Sequence, residues 1–440
     1  MQPLHRFRCV AAALLVLGAS AAASLGSSLQ AQIDAAAPGS TIVVPPGVHA
    51  GSVVVNKPLV LLGEPGAVIQ GPGKGKVVHI SADRVTLRGL TIRGSGLALF
   101  DDDAAIYITG NGATVEANTV EQSLHGIYLK KANDCRLLSN RILGRTDLAE
   151  ETGSVEKGVG MSAENCDTSA AGIQRGNGIH LWNCERTEII GNEIREMRDG
   201  IYFSFANHTQ CERNWIHKSR YGLHYMYSDN NVFTGNTFSE NAAGAALMFS
   251  KGLEIRSNHF VNNRGLRAYG LILQSMDDCR LEANVIQHNA VGLSFNQCNR
   301  NRMIGNRITQ NYIGLRFGSN SDENAFSTNI FAQNLHPVEI NGENGSNAWS
   351  ISGIGNYWED ALAFDLDRDQ INDLPHRELD LFGPLRREFP AIGLLSESPI
   401  MKLLRFAHQR AALPGASSVQ DSASLAAGFP ALRALPAHRP

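Results

Sequence analysis

A glycine recurs every 22 residues along the middle of the chain, and this period constrains the fold more than any other feature. Each glycine begins a run in which apolar side chains alternate with polar or aromatic ones, and an asparagine follows fourteen residues later. Four successive repeats carry Gly178, Gly200, Gly222 and Gly244 with Asn192, Asn214, Asn236 and Asn258. A fixed period of this length is typical of a solenoid. We therefore predict an all-β fold, a right-handed parallel β-helix of roughly ten coils.

Length and charge narrow the possible function classes. A chain of 440 residues would ordinarily divide into several domains, but a solenoid grows along one axis and remains a single domain. The net charge of −3 supplies no basic field that would hold nucleic acid or an anionic membrane surface. We therefore predict that neither is a partner.

The first 23 residues have the pattern of a secretory signal peptide. Basic residues, among them Arg6 and Arg8, precede an apolar run over residues 10–23 that ends in alanines. The run is too short to span a bilayer as a helix, so we predict cleavage and export rather than a membrane anchor. Residues 24–398 are assigned to the β-helix, and a short helix beginning near Leu29 is predicted to cap its first coil.

Four segments depart from the regular repeat. Residues 144–175 exceed the length of a coil and are predicted to leave it as an insertion loop. Residues 355–398, which begin with an aromatic cluster, are predicted to cap the far end. Apolar residues in 399–412 have the spacing of one amphipathic helix. Residues 413–440 are rich in Ala, Ser and Pro, and we predict that they are disordered.

The cysteines that follow the signal peptide lie at different offsets from the repeat glycines. They are Cys135, Cys166, Cys184, Cys211, Cys279 and Cys298. Direct stacking of two cysteines on neighbouring coils is therefore not indicated. We interpret them as small buried core residues, with disulfides as the alternative that an exported protein permits.

Alternation within each repeat predicts which side chains face outward. The first and third residues after the glycine point inward, and the second and fourth point outward. The second positions form the column Tyr107, Tyr128, His180, Tyr202, His224, Ala246 and Ile272, and the fourth positions the column Lys130, Trp182, Ser204, Met226, Met248 and Gln274. The repeated asparagines are predicted to form an internal ladder of amide hydrogen bonds.

Soft metal ligands recur in these two outward columns. His224 and Met226 share one face of a strand, Met248 follows one coil later at about 5 Å, and His180 lies two coils earlier at about 10 Å from His224. Thioether and imidazole groups favour Cu(I) over hard cations. These residues predict a copper site, and the alternative is that they pack beneath the insertion.

An acidic segment near the end of the chain resembles a calcium-binding loop. Its carboxylates occupy loop positions one, three, five and nine, namely Asp365, Asp367, Asp369 and Asp373. Gln370 stands where such a loop has glycine, and His376 stands where it has glutamate. The segment predicts a possible Ca²⁺ site, with a solvated acidic turn as the alternative.

Signals for catalysis are few. Enzymes that act on acidic polysaccharides need clustered carboxylates, or a base with a cationic partner, on the outward strand face. The predicted outward positions from Tyr107 to Asn296 contain no Asp or Glu, although loops could bring in Asp199 or Asp229. A polysaccharide lyase or epimerase therefore stays an alternative function, as does a metal-free structural adaptor.

Several segments together resemble the NosD family. They lie at residues 29–39, 90–96, 176–183, 198–204, 221–228 and 355–358, and the run Tyr-Gly-Leu-His-Tyr-Met-Tyr-Ser at 221–228 is the most distinctive. The resemblance extends over nearly the whole mature chain. The insertion at 144–175 is longer than the family pattern leads us to expect.

The resemblance implies a non-enzymatic periplasmic β-helix. Such a protein associates peripherally with the inner membrane through an ABC transporter, which consists of a separate ATPase and a permease. It receives copper from a small copper chaperone and assists copper-cluster assembly in nitrous oxide reductase. The resemblance leaves open whether copper is bound stably or only passed on.

The amphipathic helix at 399–412 is a candidate docking element. Its apolar residues Leu403, Leu404 and Phe406 are predicted to contact the permease. The alternative is that the helix only caps the last coil.

Overall fold

The computed structural model describes residues 28–147, 175–263, 268–318, 320–340, 346–379, 389, 398–410 and 418–430. The predicted signal peptide and most of the predicted insertion lie outside these residues. Within them, three long parallel sheets wind into a β-solenoid of twelve coils, slightly more than the ten expected. The predicted all-β repeat architecture is confirmed.

Each of the twelve coils contributes one strand to each sheet, and sheet B has one further strand, Tyr357–Trp358. Sheet A contains Thr41–Val44, Val60–Gly63, Thr86–Arg88, Thr114–Glu116, Arg136–Leu138, Glu188–Ile190, Gln210–Glu212, Val232–Thr234, Glu254–Arg256, Arg280–Glu282, Arg302–Ile304 and Ala325–Ser327. Sheet B contains Gly47–Ala50, Ala67–Gln70, Thr91–Arg93, Thr119–Glu121, Arg141–Leu143, Glu193–Arg195, Trp215–His217, Thr237–Ser239, His259–Val261, Val285–Gln287, Arg307–Thr309, Ile330–Ala332 and Tyr357–Trp358. Sheet C contains Val53–Val55, Val78–Ile80, Ala104–Ile108, His125–Lys130, Ile179–Glu185, Asp199–Asn207, Tyr221–Met226, Ala243–Lys251, Tyr269–Asp277, Val291–Asn296, Ile313–Phe317 and His336–Ile340.

The repeated glycine lies at the corner where the chain enters sheet C. A Cβ atom on Gly200 would lie 2.2 Å from Cγ2 of Ile216 in the core and 2.7 Å from the carbonyl oxygen of Gly222 in the next coil. Only glycine therefore allows the coils to stack this closely. The glycine and the residue after it both face the core, so the alternation changes phase at the corner and residue 199 faces outward.

The predicted asparagine ladder is confirmed. Oδ1 of Asn214 accepts hydrogen bonds from the backbone N–H and the Nδ2 amide of Asn192, both at 2.9 Å. Nδ2 of Asn214 donates in turn to the carbonyl oxygen of Ile189 at 2.7 Å. Because each buried amide satisfies backbone groups at a turn, the ladder fixes the register between successive coils.

Helix α1, Leu29–Ala35, covers the first coil as predicted. The hydroxyl of Ser28 caps the helix by accepting the N–H of Ala31, and Leu29 and Ile33 are buried. The Gln30 side chain accepts the N–H of Val54 at 2.7 Å. This contact satisfies a donor on the open edge of sheet C.

The prediction of a disordered tail over 413–440 is wrong for residues 418–430. Strand Ser418–Asp421 pairs antiparallel with strand His376–Leu379, and Val419 and Leu425 are buried. The tail has too few apolar residues to form a core of its own, but it packs on the already formed end of the solenoid. Helix α2, Pro399–Arg410, is the predicted C-terminal helix.

The five cysteines that the structure describes are unpaired and buried, which confirms their interpretation as core residues. Burial raises the pKa of Cys135 to about 12 and that of Cys184 to about 11. These thiols therefore stay protonated at neutral pH and are poor metal ligands. Cys166 lies outside the described residues.

Neither helix in the described part of the chain is long and apolar enough to cross a membrane.

Candidate metal-binding face

The predicted outward columns of sheet C are present in the register of its strands. Tyr128 pairs with His180, His180 with Tyr202, and Tyr202 with His224. Their rings contact one another in succession, with centroid separations of 4.2, 4.6 and 4.9 Å in the same order, and the last of these contacts is edge-to-face. The two imidazoles therefore belong to one aromatic column.

The structure does not bring His180 and His224 together. The Tyr202 ring lies between them, and residues two coils apart in a column are separated by about 9 to 10 Å. Two donors to one ion lie within about 4.2 Å of each other when each bond is about 2.1 Å. The four predicted ligands thus divide into His180 on one side and His224, Met226 and Met248 on the other.

His224 is held by a buried carboxylate. Its Nδ1 atom lies 2.9 Å from Oδ2 of Asp199, which is 1% exposed. The Asp199 carboxylate also accepts two hydrogen bonds from Arg220, at 2.9 and 2.8 Å. Burial raises the pKa of Asp199, but Arg220 and His224 outweigh this effect and hold the pKa well below its usual range. The carboxylate is therefore ionised at neutral pH.

This arrangement determines the tautomer of His224. An ionised carboxylate can only accept hydrogen bonds, so Nδ1 of His224 donates its proton to Asp199 and Nε2 is the ring nitrogen that can bind a metal. His224 is 4% exposed, and its Nε2 atom has no hydrogen-bond partner among the described residues. A buried nitrogen with a free lone pair, oriented by a carboxylate on the other ring nitrogen, is the usual form of a histidine metal ligand.

Two thioethers lie beside this imidazole. Met226 is two residues after His224 on strand Tyr221–Met226, and it pairs in register with Met248 of the next coil. Both methionine side chains are half-buried, and Sδ of Met226 lies 4.0 Å from the Tyr202 hydroxyl. The two methionine side chains are thus more exposed than the imidazole of His224.

His180 belongs to a second histidine pair. The backbone N–H of Asn177 donates to Nδ1 of His125, and the Asn177 side-chain amide nitrogen lies 3.2 Å from Nδ1 of His180. Burial lowers the pKa of His125 to about 4 and that of His180 well below its usual value, so both rings are neutral. With the amide in this orientation, Nδ1 of His180 accepts and Nε2 carries the proton. Rotating the amide by half a turn is required before Nε2 can bind a metal.

The sequence pattern does not indicate the role of Asp199 and Arg220. Alternation defines outward positions only after each glycine, whereas Asp199 precedes Gly200 within strand Asp199–Asn207. The change of phase at the corner places this carboxylate on the outward face. The signal that would have found it is an acidic residue directly before a repeat glycine, with an arginine 21 residues later.

Three of the four predicted calcium ligands come together. One oxygen each from Asp365, Asp367 and Asp369 lies within 4.8 Å of the other two. Asp373 instead accepts the backbone N–H of Leu366 at 2.6 Å. Calcium binding at this turn stays a prediction.

The predicted docking residues of helix α2 differ in their exposure. Leu403 is 66% exposed and Phe406 is 42% exposed, whereas Leu404 is half-buried. Met401 is buried, so the helix turns another side towards the protein. Contact of Leu403, Leu404 and Phe406 with a permease stays a prediction.

Comparison with known proteins finds one matching family model and two similar bacterial proteins. A family model described as periplasmic copper-binding protein (NosD) matches residues 159–363. The probable ABC transporter binding protein NosD of Pseudomonas aeruginosa is 33% identical over 392 residues, which cover 86% of this chain and 86% of that protein. The protein of the same name from Stutzerimonas stutzeri is 30% identical over 396 residues, covering 86% of this chain and 85% of that protein.

A solved structure supports the fold alone. The A-module of the Azotobacter vinelandii mannuronan C-5 epimerase AlgE6 matches 73% of this chain and 93% of that module, with a TM-score of 0.56 and 14% identity. Such low identity carries no inference about activity. The identity and coverage of the two bacterial relatives, in contrast, establish that the chain belongs to the NosD family.

Proposed function

We propose that this protein is a periplasmic accessory protein of an ABC transporter that binds copper and passes it on. The observation that supports this most strongly is the free, buried Nε2 atom of His224, with Asp199 fixing the other ring nitrogen. The family description and the names of the two relatives point to the same copper and transporter context.

The chemistry of the donors selects the oxidation state. Met226 and Met248 offer soft thioether sulfurs, and His224 offers a neutral imidazole nitrogen. This combination favours Cu(I) over Zn²⁺ or Ca²⁺. Since the two methionine side chains are half-buried, copper that they hold is accessible to a donor or an acceptor protein.

We further propose the partners that this role requires. The transporter consists of an ATPase and a permease, a small copper chaperone delivers the metal, and nitrous oxide reductase receives it for assembly of its copper clusters. Helix α2, with its exposed Leu403 and Phe406, is the proposed contact to the permease. Together these contacts would place the protein at the periplasmic side of the inner membrane.

A polysaccharide lyase or epimerase is a second candidate, because an imidazole held by a carboxylate can also act as a general base. Two features of the site disfavour it. His224 is 4% exposed, and the Arg220 guanidinium binds Asp199 on the protein itself. Release of unsaturated or epimerised products from alginate or pectin would restore this candidate.

Competition titration with a chromogenic Cu(I) chelator tests the proposal. We expect that Met226→Ala and Met248→Ala each weaken Cu(I) binding about tenfold or more, since even the loss of an outer-shell partner typically costs about 10- to 100-fold. His208→Ala is the matched control, because that histidine is exposed and bonds to Glu185 away from the site. Equal binding by all four proteins would contradict the proposal.

A metal-free adaptor makes the opposite prediction for partner capture. If the strand face served only to bind proteins, capture of the copper chaperone would survive complete metal removal and loss of the four side chains His180, His224, Met226 and Met248. We expect that capture of the copper chaperone depends on these side chains.

A further inference from the structure

A second cluster of potential metal ligands lies at the C-terminal end of the solenoid. Nε2 of His376 lies 3.7 Å from Oε2 of Glu378 and 4.0 Å from Oδ1 of Asp360. The three donor atoms all lie within 4.8 Å of one another. His376 and Glu378 alternate along strand His376–Leu379 and so share a face, while Asp360 follows strand Tyr357–Trp358 of the last coil.

The burial of His376 requires an explanation. Its side chain is 1% exposed, and neither ring nitrogen has a hydrogen-bond partner among the described residues. The ring stacks on Trp358 with a centroid separation of 4.7 Å, which holds it in place and directs Nε2 towards the two carboxylates. Buried polar atoms without a partner are rare in folded proteins, and a role in binding an ion is one explanation for them.

We propose that Asp360, His376 and Glu378 form a structural binding site for a divalent transition metal, with Zn²⁺ the best-fitting ion. Donors around a tetrahedral ion with bonds of about 2.1 Å are about 3.4 Å apart. Nε2 of His376 lies 3.7 Å from Glu378 and 4.0 Å from Asp360, so each of these two distances exceeds that value by only a few tenths of an ångström. Imidazole with two carboxylates suits Zn²⁺. The absence of sulfur among these three donors disfavours Cu(I), and the imidazole disfavours Ca²⁺.

The position of the cluster gives the ion a role. Strand His376–Leu379 pairs with strand Ser418–Asp421. Oδ2 of Asp421 accepts the backbone N–H of Asn356, the last residue of the asparagine ladder. A metal that joins Asp360 of the last coil to His376 and Glu378 would fasten this cap to the solenoid. The site is distinct from the copper-binding face of sheet C and does not rest on the proposed copper function.

Zinc binding by the metal-stripped, full-length mature chain tests the proposal. Asp360→Asn and Glu378→Gln preserve side-chain size and remove one charged ligand each, and Asp360 is 47% exposed, so its replacement does not disturb the core. We expect each variant to bind Zn²⁺ at this site at least tenfold more weakly and to lose the zinc-dependent rise in Tm. Asp367→Asn, in the neighbouring acidic turn, is the control and is expected to behave as the unmodified protein.

Replacement of Zn²⁺ by Co²⁺ gives a direct spectroscopic readout. We expect visible ligand-field bands of a nitrogen- and oxygen-ligated Co²⁺ that disappear in Asp360→Asn, while Cu(I) binding by that variant is unchanged. If the affinity, stoichiometry and Tm response were the same in all four proteins, the cluster would not bind the metal and the proposal would be wrong. Loss of Cu(I) binding by Met226→Ala is independent of either result.

Discussion

Nδ1 of His224 lies 2.9 Å from Oδ2 of Asp199, and this contact joins two neighbouring coils of sheet C. The carboxylate is buried and doubly hydrogen-bonded by Arg220, so it remains ionised and cannot donate a proton. Its effect is to fix the orientation and tautomer of a ring that would otherwise rotate. The site therefore depends on a residue that does not itself bind the metal.

Replacement of Asp199 by Asn should weaken copper binding without removing a ligand. The new amide can donate to Nδ1 of His224, which moves the ring proton to Nε2 and blocks the lone pair. We expect Cu(I) affinity to fall about 10- to 100-fold, in the range typical for outer-shell partners. Competition titration measures the effect, and Asp134→Asn, an exposed carboxylate paired with Arg186, is the control. Unchanged Cu(I) affinity of Asp199→Asn would show that Asp199 does not support the copper site.

The buried His125 predicts a loss of stability in mild acid. Its folded-state pKa of about 4 is below the unfolded value near 6.5, so the unfolded chain binds more protons between these pH values. Stability is therefore lost as pH falls from about 6.5 to 4, by about 3 kcal/mol for this group. Urea unfolding at several pH values should show a smaller acid dependence for His125→Gln, and an identical dependence would be the contrary result.

The corner glycine predicts that one added methyl group destabilises the stacking of the coils. In Gly200→Ala the added Cβ meets Cγ2 of Ile216 and the Gly222 carbonyl oxygen, and we expect a loss of about 1 to 3 kcal/mol. Combination with Ile216→Leu should recover part of this loss, because leucine is of similar size and has no Cγ2 methyl group. Chemical unfolding of the single and double variants measures the coupling. Strictly additive effects would show that the clash is not with Ile216.

The Asp421 carboxylate predicts that the tail stabilises the last coil. It accepts hydrogen bonds from Asn356 and from Nε1 of Trp358, the latter at 3.0 Å. In Asp421→Ala these buried donors lose their acceptor, at a cost of about 1 to 3 kcal/mol for each. We expect earlier unfolding of the C-terminal coils and faster proteolysis there. Asp134→Ala, at an exposed carboxylate in a distant coil, is the control, and equal proteolysis of the two variants would argue against the closing role.

Periodicity predicted the scaffold because a repeated glycine and asparagine meet the same physical demand in every coil. It also predicted the column that contains His224, since alternation after the glycine is regular. It could not predict that Asp199 joins that column, because the phase change at the corner is a property of the three-dimensional path. The roles of His376 and Asp421 could not be predicted for a related reason. Their contacts join segments that lie outside the repeat.

X-ray absorption at the copper edge of the Cu(I)-loaded protein tests the central claim most directly. The account predicts a first shell that contains both thioether sulfur and imidazole nitrogen. The imidazole contribution should be lost in His224→Ala, and the sulfur contribution in Met226→Ala combined with Met248→Ala. A first shell without sulfur, or one that these variants leave unchanged, would contradict the assignment of copper to His224, Met226 and Met248.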